Sequence, residues 1–586
     1  MAISDILDIS KQGIFVNQSA LMTVSHNIAN VNTEGYSRQS LRLESTPGTG
    51  NTSIGGGVSL AQVTQQVDAL VEGRLELGTA EIGRLQSRER YLLLVEDVFN
   101  DMDGDGFSQR LEEFFSASDS LADNPINPVS RNELIAEADG LSRYVQDMYQ
   151  SLSDMALPVD EEINVLIADI NERLSNLQEI NSLIISQEHT SPALDLKDQR
   201  QQMILELGEL IDITTVEMDD GGVQIMTSKG QEVLVDAVYA AELTRSTDNS
   251  DSGYMGIEIA GKEFGNTGLI SGGELKGLLE IRDEVIHGDD GLLTKLEAIA
   301  DEIRFQVNLI HSQSVSDTMY TSQTGAFDLG NDLDVALSSL VTDTDSTSYT
   351  GAPEDLARVT TGEVTFAYGT DYTDLTLSDP IAIDASMSIE DIRDAIDASN
   401  AVSAEIVDNK LVLTATEGVY GVTSDTSGIL AAMGVGVLFT GSGARDMAVE
   451  ESLMDDPNQV ALGQISVVTE DDGSTTLTYH DADNQGALAI GALRDDKFTL
   501  FGDTTTLVSH YATVVGLLGA EISANSEALE TQQAAYSFLQ DVRESISGVS
   551  LEEELTDLIK FQRAFQASSK MVTMADELLQ TIVSMI

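Results

Sequence analysis

The chain contains no cysteine and no tryptophan among its 586 residues. No disulfide can brace the fold, and neither a thiol nucleophile nor a cysteine-bound metal is available. Histidine is scarce: His26, His189, His287, His311, His480 and His510 are scattered, with no HxxxH or HExxH pair to hold a catalytic zinc. Also missing are GxSxG, GxxxxGK[ST] and a strand-borne GxGxxG, so no nucleophile elbow, phosphate loop or dinucleotide site is expected. Positive charge is the other shortage. Thirty basic residues face 99 acidic ones, a formal net charge of −69, and a field of that sign opposes binding to nucleic acid or an anionic membrane. Carboxylate pairs are so common in such a chain that they carry no weight as glycosidase evidence. The first twenty residues lack a basic segment followed by a continuous apolar run, and no apolar stretch of about 18 residues is evident. Neither a cleaved signal peptide nor membrane insertion is expected, and nothing points to an enzyme.

What the chain does have is a matched pair of ends. Apolar residues return alternately every three and four positions in Ile3, Leu7, Ser10, Ile14, Asn17, Leu21, Val24 and Ile28. They do so again in Leu551, Leu555, Leu558, Gln562, Phe565, Ser569, Val572, Asp576, Leu579, Val583 and Ile586. A stripe with a mean spacing of about 3.5 residues is the seam of a coiled coil, and such a helix requires a partner along its length. An intramolecular bundle would supply one. Polar breaks at Ser10, Asn17, Gln562, Ser569 and Asp576 weaken an isolated seam, which favours stacking many copies instead. The ends are also nearly neutral, Asp5, Asp8, Glu34 and Glu44 standing against Lys11, Arg38 and Arg42 in residues 1–60. Most of the acidity therefore lies between them, on a part of the chain that faces solvent.

Periodicity and turn residues suggest a multi-domain α+β protein with long helical regions at both termini and β-rich outer domains in the middle. Its expected parts are an inner-tube helix and turn (1–44), the first part of a helical rod (45–215), a mixed α/β outer domain (216–340), a variable β-rich insertion (341–498), the return of the rod (499–547) and a C-terminal inner-tube helix (548–586). Helices are expected at 4–28, 63–99, 109–122, 131–153, 160–187, 195–213, 273–315, 389–398, 504–546 and 551–584, with 37–60 irregular or extended. Hairpins are expected at 223–227 with 231–235, at 401–407 with 411–416, and at 464–468 with 475–479.

One segment has the ligand spacing of a calcium loop. Asp101, Asp103 and Asp105 occupy positions 1, 3 and 5, Gly106 position 6, Phe107 offers a backbone carbonyl at 7, and Glu112 stands at 12. Ser108 replaces the hydrophobe that pairs with a sister loop, and the chain has no sister loop. The alternatives are a structural calcium or an acidic turn between two helices.

The run Val24-Ser-His-Asn27-Ile-Ala-Asn30-Val-Asn32-Thr-Glu-Gly35-Tyr36-Ser-Arg38-Gln39 resembles the amino-terminal motif of bacterial flagellar axial proteins. Its Tyr-Ser-Arg-Gln continuation is similar to the hook-associated junction family among them. The runs Ser547-Gly-Val-Ser-Leu551-Glu-Glu-Glu-Leu555, Phe561-Gln-Arg-Ala-Phe565-Gln-Ala-Ser-Ser-Lys570 and Ala575-Asp-Glu-Leu-Leu579 resemble that family's other end. Internal agreement comes from Asn124-Pro125 with Pro128 and Asn132, from Gly272-Gly-Glu-Leu275 with Arg282-Asp283, and from Val307-Asn-Leu-Ile-His311. The resemblance implies a non-enzymatic flagellar protein, self-associating, exported through the flagellum without a cleaved signal, and located outside the cell between the hook protein and the second hook–filament junction protein. It implies an export chaperone at the C-terminal helix. It assigns assembly packing to Leu551, Leu555, Leu558, Phe565, Val572 and Leu579, with Ile6, Ile14, Leu21, Val24 and Ile28 opposite, and a turn role to Asn27, Asn30, Asn32, Gly35 and Tyr36. Competing expectations are another flagellar axial protein and a calcium-stabilised extracellular adhesin or surface-layer protein.

Overall fold

The computed structural model describes residues 2–47, 55–99, 106–230, 232–249, 254–259, 262–263, 270–330, 332–340, 353–469, 475–480 and 482–585. They fall into two compact units. One comprises Met1–Tyr91, Val159–Asp283 and Ser523–Ile586, the other Leu92–Pro158 and Glu284–Ile522.

The first unit contains both chain ends. An N-terminal helix, Ala2–Ala29, leads into an antiparallel ribbon of Gln39–Thr46 and Gly57–Gln65, with a bulge between Arg42 and Leu43. The ribbon corrects the expectation of a helix from Val63. Alternation in Val58, Leu60, Ala61 and Val63 has the period of a strand, and the helix begins only at Ala69. At one of its glycines a neighbour comes too close for any side chain: a Cβ on Gly83 would lie 2.1 Å from the Glu209 carbonyl oxygen. A low helix propensity there reflects a packing requirement.

Two helices expected at 131–153 and 160–187 are a single helix, Pro128–Glu188, that accommodates Pro158. Proline removes one backbone hydrogen bond, but Leu152, Ala156, Val159 and Ile163 are all fully buried around it. Their burial, at about 25 cal/mol per Å² of apolar surface, outweighs the missing bond. The boundary between the two units falls at this proline. The continuous helix expected over 273–315 is divided instead, into Glu274–Leu279, a π-helical turn Glu280–Ile286 and Leu292–Ser312. Within the first unit, Arg84 and Arg88 draw on the Glu280 carboxylate at 2.9 and 2.6 Å, and Arg282 grips Asp283 with two bonds of 2.7 and 2.8 Å.

The second unit carries most of the β structure. Gly362–Gly369 pairs with Leu375–Leu377, Ile381–Ile383 and Val419–Asp425, while Val402–Val407, Lys410–Ala415 and Ser322–Thr324 make a second sheet. The helix Ile389–Asp397 starts in a capping box between Ser388 and Asp391, and the following hairpin turns through Asp408 and Asn409, both at positive φ. Ile389, Ile392, Ile396, Phe366, Leu411, Leu413 and Tyr420 share its core. His311 is buried in this unit. Its Nδ1 donates to the Gly436 carbonyl at 2.7 Å and its Nε2 accepts from the Ala461 amide at 3.0 Å, so the ring is neutral and burial lowers its pKa to about 4. A hairpin pairs Ser466–Thr469 with Thr475–Thr478, its turn at 471–474 lying outside the described residues.

The last two helices, Leu507–Ser547 and Leu551–Met585, contain one stretch long and apolar enough by composition to cross a membrane. This corrects the expectation that no segment qualifies. A helix entering a protein core passes the same test, and the start of the first one does enter: Leu507, Tyr511, Val514 and Leu518 are buried, with the Tyr511 ring centred 4.4 Å from that of Phe107.

Candidate assembly interface

The N-terminal and C-terminal helices pack against each other within the first unit. On the N-terminal helix Ser10, Val16, Ala20, Thr23, Val24 and Asn27 are buried, and Ile6, Ile14, Leu21 and Ile28 are half-buried. On the C-terminal helix only Glu554 and Ala575 are buried. Leu558, Phe565 and Val572 are half-buried, whereas Leu551, Leu555 and Leu579 are exposed. The sheltered positions of that helix include 554, 558, 561, 565, 568, 572 and 575. The seam thus keeps the expected spacing but uses Glu554, Phe561, Ser568 and Ala575 where Leu555, Gln562, Ser569 and Asp576 were expected, a rotation of one residue at every second step. Small side chains at 568 and 575 let the helices approach, and a Cβ on Gly13 would meet Ser568 Oγ at 2.9 Å.

Beyond this seam the helix pair displays apolar side chains to solvent. Phe15 and Met22 are exposed on one helix, and Leu551, Leu555, Ile559, Met571, Met574, Leu578, Leu579, Ile582, Val583 and Met585 on the other. Leu555 is 50% and Val583 72% accessible. Burying one such side chain is worth about 1.5–3 kcal/mol, so a surface of this kind marks an interaction site.

At the base of the pair the turn motif becomes a hydrogen-bonded hub. Asn27, 1% exposed, donates from Nδ2 to the Gln39 carbonyl (2.9 Å) and to Glu554 Oε2 (3.1 Å). Its Oδ1 accepts from the Gln39 amide (3.0 Å) and the Tyr36 hydroxyl (2.7 Å). Since that hydroxyl donates to Asn27, it accepts from His26 Nδ1 at 3.0 Å. Burial, then the negative charges of Asp195, Asp198 and Glu554, push the Tyr36 hydroxyl well above its ordinary pKa, which keeps it a donor. Asn30 Nδ2 closes the helix end on the His26 carbonyl (3.1 Å), and Gly35 sits at φ +77°, where other residues are strained. Asn32 is exposed and stands outside this network.

Charge locks the hub to the far end of the chain. Arg38 Nε donates to Glu554 Oε1 at 2.7 Å and its Nη1 to Glu553 Oε2 at 2.9 Å, while its amide donates to the Ser547 carbonyl at 2.8 Å. Glu554 is 1% exposed, and a carboxylate so deeply buried is tolerable only when paired and hydrogen-bonded. Arg543 bridges from Glu72 Oε1 (2.7 Å) to the Gly35 carbonyl (3.2 Å). The Ser37 amide donates to Asp198 at 3.1 Å, and burial pushes that carboxyl up to about 6. Arg38 and the Glu552–Glu554 triplet lie inside the two terminal runs, so their pairing had a sequence signal. Asp198 and Arg543 had none.

Asp101, Asp103 and Asp105 lie outside the described residues. Of the other candidate calcium positions, Phe107 opens the helix Phe107–Asp123, and Glu112 is engaged by Arg494 at 3.1 Å. Among the described residues, no three His, Asp or Glu side chains converge to hold a metal ion.

Comparison with known proteins gives matches in the body of the chain and at its C-terminal end. The family model described as flagellar hook-associated protein FlgK helical domain matches residues 92–326, and that described as flagellar basal body rod FlgEFG protein C-terminal matches 543–585. Flagellar hook-associated protein 1 of Salmonella typhimurium is 24% identical over 598 residues, covering 99% of this chain and 100% of that protein. Its counterpart in Bacillus subtilis is 23% identical, covering 99% and 97%. The solved flagellar hook junction protein FlgK from Burkholderia pseudomallei aligns at a TM-score of 0.50 with 14% identity, covering 81% of this chain and all of that one, a likeness of fold. With matches at both its centre and its C-terminal end, and with relatives aligned from end to end, the chain is similar over its whole length to flagellar hook-associated protein 1.

Proposed function

We propose that this protein is a non-enzymatic junction subunit that joins the flagellar hook to the filament, self-assembling through its terminal helices. The observation that carries the reading is the C-terminal helix, one side of which rests on the N-terminal helix while leucine, isoleucine, valine and methionine remain open to solvent along the rest. A helix pair with apolar surface left over is completed by further copies of itself, and the ordering of its side chains is offset by that burial. In the finer form of this reading, Leu551, Leu555, Leu558, Phe565, Val572 and Leu579 together with Ile6, Ile14, Leu21, Val24 and Ile28 make the inner contacts, and the Asn27–Tyr36 hub sets the angle at which they are presented.

The location that follows is the extracellular flagellum, with the hook protein on one side and the second junction protein on the other. Export through the flagellar apparatus without a cleaved signal fits a chain free of cysteine, and an export chaperone would cover the exposed face of the C-terminal helix until assembly. Amide hydrogen exchange tests the reading. Residues 551–585 should exchange rapidly in the free chain and become protected on mixing with hooks, and deleting residues 2–35 should abolish the change. Equal protection before and after mixing would refute it.

A further inference from the structure

Beside the hub, the first unit contains an open cavity of about 570 Å³, walled by the ribbon, the helix from Ala69 and the helix Leu194–Leu210. Five carboxylates line it, Glu72, Glu76, Glu188, Asp198 and Glu217, against the bases Lys197, Arg200 and Arg543. Lys197 is taken by Glu188 (3.1 Å), and Arg200 by Asn181 Oδ1 (3.1 Å) and the Gly221 carbonyl (2.9 Å). Arg543 holds one oxygen of Glu72. The other, Glu72 Oε2, has no hydrogen-bond partner among the described residues although Glu72 is 6% exposed. Among the described residues Glu76 is held only by the neutral donors Gln201 (3.0 Å) and Thr215 (2.9 Å), and burial raises the pKa of both Glu76 and Asp198. Negative charge has been desolvated here without a cation to match it, which is costly unless something else supplies one. The walls include Val63 and Ile204, and Val67 and Leu77 stand exposed at the rim. Such a socket suits a long basic side chain, whose aliphatic stem lies on the walls while its head reaches the acids.

We propose that this cavity receives an arginine or lysine side chain from a second copy of the chain and is a contact between neighbouring subunits. The inference rests on the self-assembly reading above. Charge complementarity identifies the occupant. Arg42, Arg74, Arg563 and Lys570 are exposed and make no hydrogen bond or ion pair among the described residues, in a chain with 99 acids available to them. The exposed apolar rim around the acidic floor gives the socket the layout of an interface anchor.

The test uses the full chain and a pelleting assay of assembly. Glu72→Gln with Glu76→Gln keeps side-chain size and leaves an acceptor for Arg543. The doubly substituted chain should melt within a few degrees of the parent yet need a concentration on the order of ten-fold higher to assemble. Because the chain has no cysteine, a Gly73→Cys population can be mixed with populations carrying Arg42→Cys, Arg74→Cys, Arg563→Cys or Lys570→Cys. One mixture should form an intersubunit disulfide on assembly. Unchanged assembly of the double variant, or no cross-link in any mixture, overturns the proposal. So does binding of spermidine to the free chain that is lost in the double variant while assembly persists, since the occupant would then be a small cation. If the parent chain itself does not assemble, the self-assembly reading has failed, a result distinct from these.

Discussion

Asn27 makes four hydrogen bonds from one amide group, and no single backbone turn could replace them. Among the described residues its neighbour in the hub, Glu554, is neutralised by Arg38 alone, with Asn27 as the only other side-chain donor to it. Breaking a buried ion pair from one side costs about 3–5 kcal/mol, because the remaining charge stays desolvated. Arg38→Ala should therefore raise the exchange rate of the amides of residues 30–40 by two orders of magnitude or more, while residues 389–415 in the other unit exchange as before. His311 gives a pH dependence of definite sign. Its folded pKa of about 4 lies below the ordinary 6.5, so the unfolded chain takes up the proton first, and stability present above pH 6.5 is lost progressively down to about pH 4. The full loss is about 3 kcal/mol. Urea unfolding of the second unit at pH 7.5 and 4.5 should show it, and His311→Leu should reduce the slope. Asp198 acts in the opposite sense, since its raised pKa makes the folded chain the better proton acceptor between about pH 6 and 3.8, and its stabilising contribution is lost as pH rises through 6.

At the scale of elements, long apolar periodicities were readable and their faces were not. Both terminal helices are present within two residues of expectation, yet the seam between them is rotated, because Ser568 and Ala575 are selected by closeness of approach and hydropathy cannot register that. The Gly13–Ser568 contact makes this testable. Gly13→Ala meets only a hydroxyl that can rotate away, whereas Gly13→Leu cannot be accommodated without separating the helices. Thermal melts should show the alanine variant near the parent and the leucine variant losing helix early. The second strand of the ribbon runs past residue 60 into the expected start of a helix, because Val63 and Val67 also fit a helical spacing. The helix Pro128–Glu188 was divided by a proline whose surroundings, invisible in the local sequence, hold it in place. The polar members of the hub from Asp195 to Arg543 are brought together only by tertiary structure, and nothing in their local sequence marks them.

For the whole molecule the dominant quantity is a net charge of −69. Copies brought side by side repel one another, and raising ionic strength from about 0.01 to 0.15 M shortens the screening length from about 30 to 8 Å. Assembly followed by light scattering should accelerate over that range, the reverse of what a contact between oppositely charged proteins would do. Phe565→Asp, on the sheltered side of the C-terminal helix, should leave the second unit's melting unchanged and prevent assembly. A variant that still formed junctions would exclude the terminal helices as the driving surface.

The bond from Asn27 to Glu554 joins residues separated by 527 positions. A chain delivered from one end to the other cannot close it until nearly the last residue has arrived. Products truncated or stalled before Glu554 therefore lack the stitch that orders the terminal pair, and most of the chain's length is proofread by the fold itself.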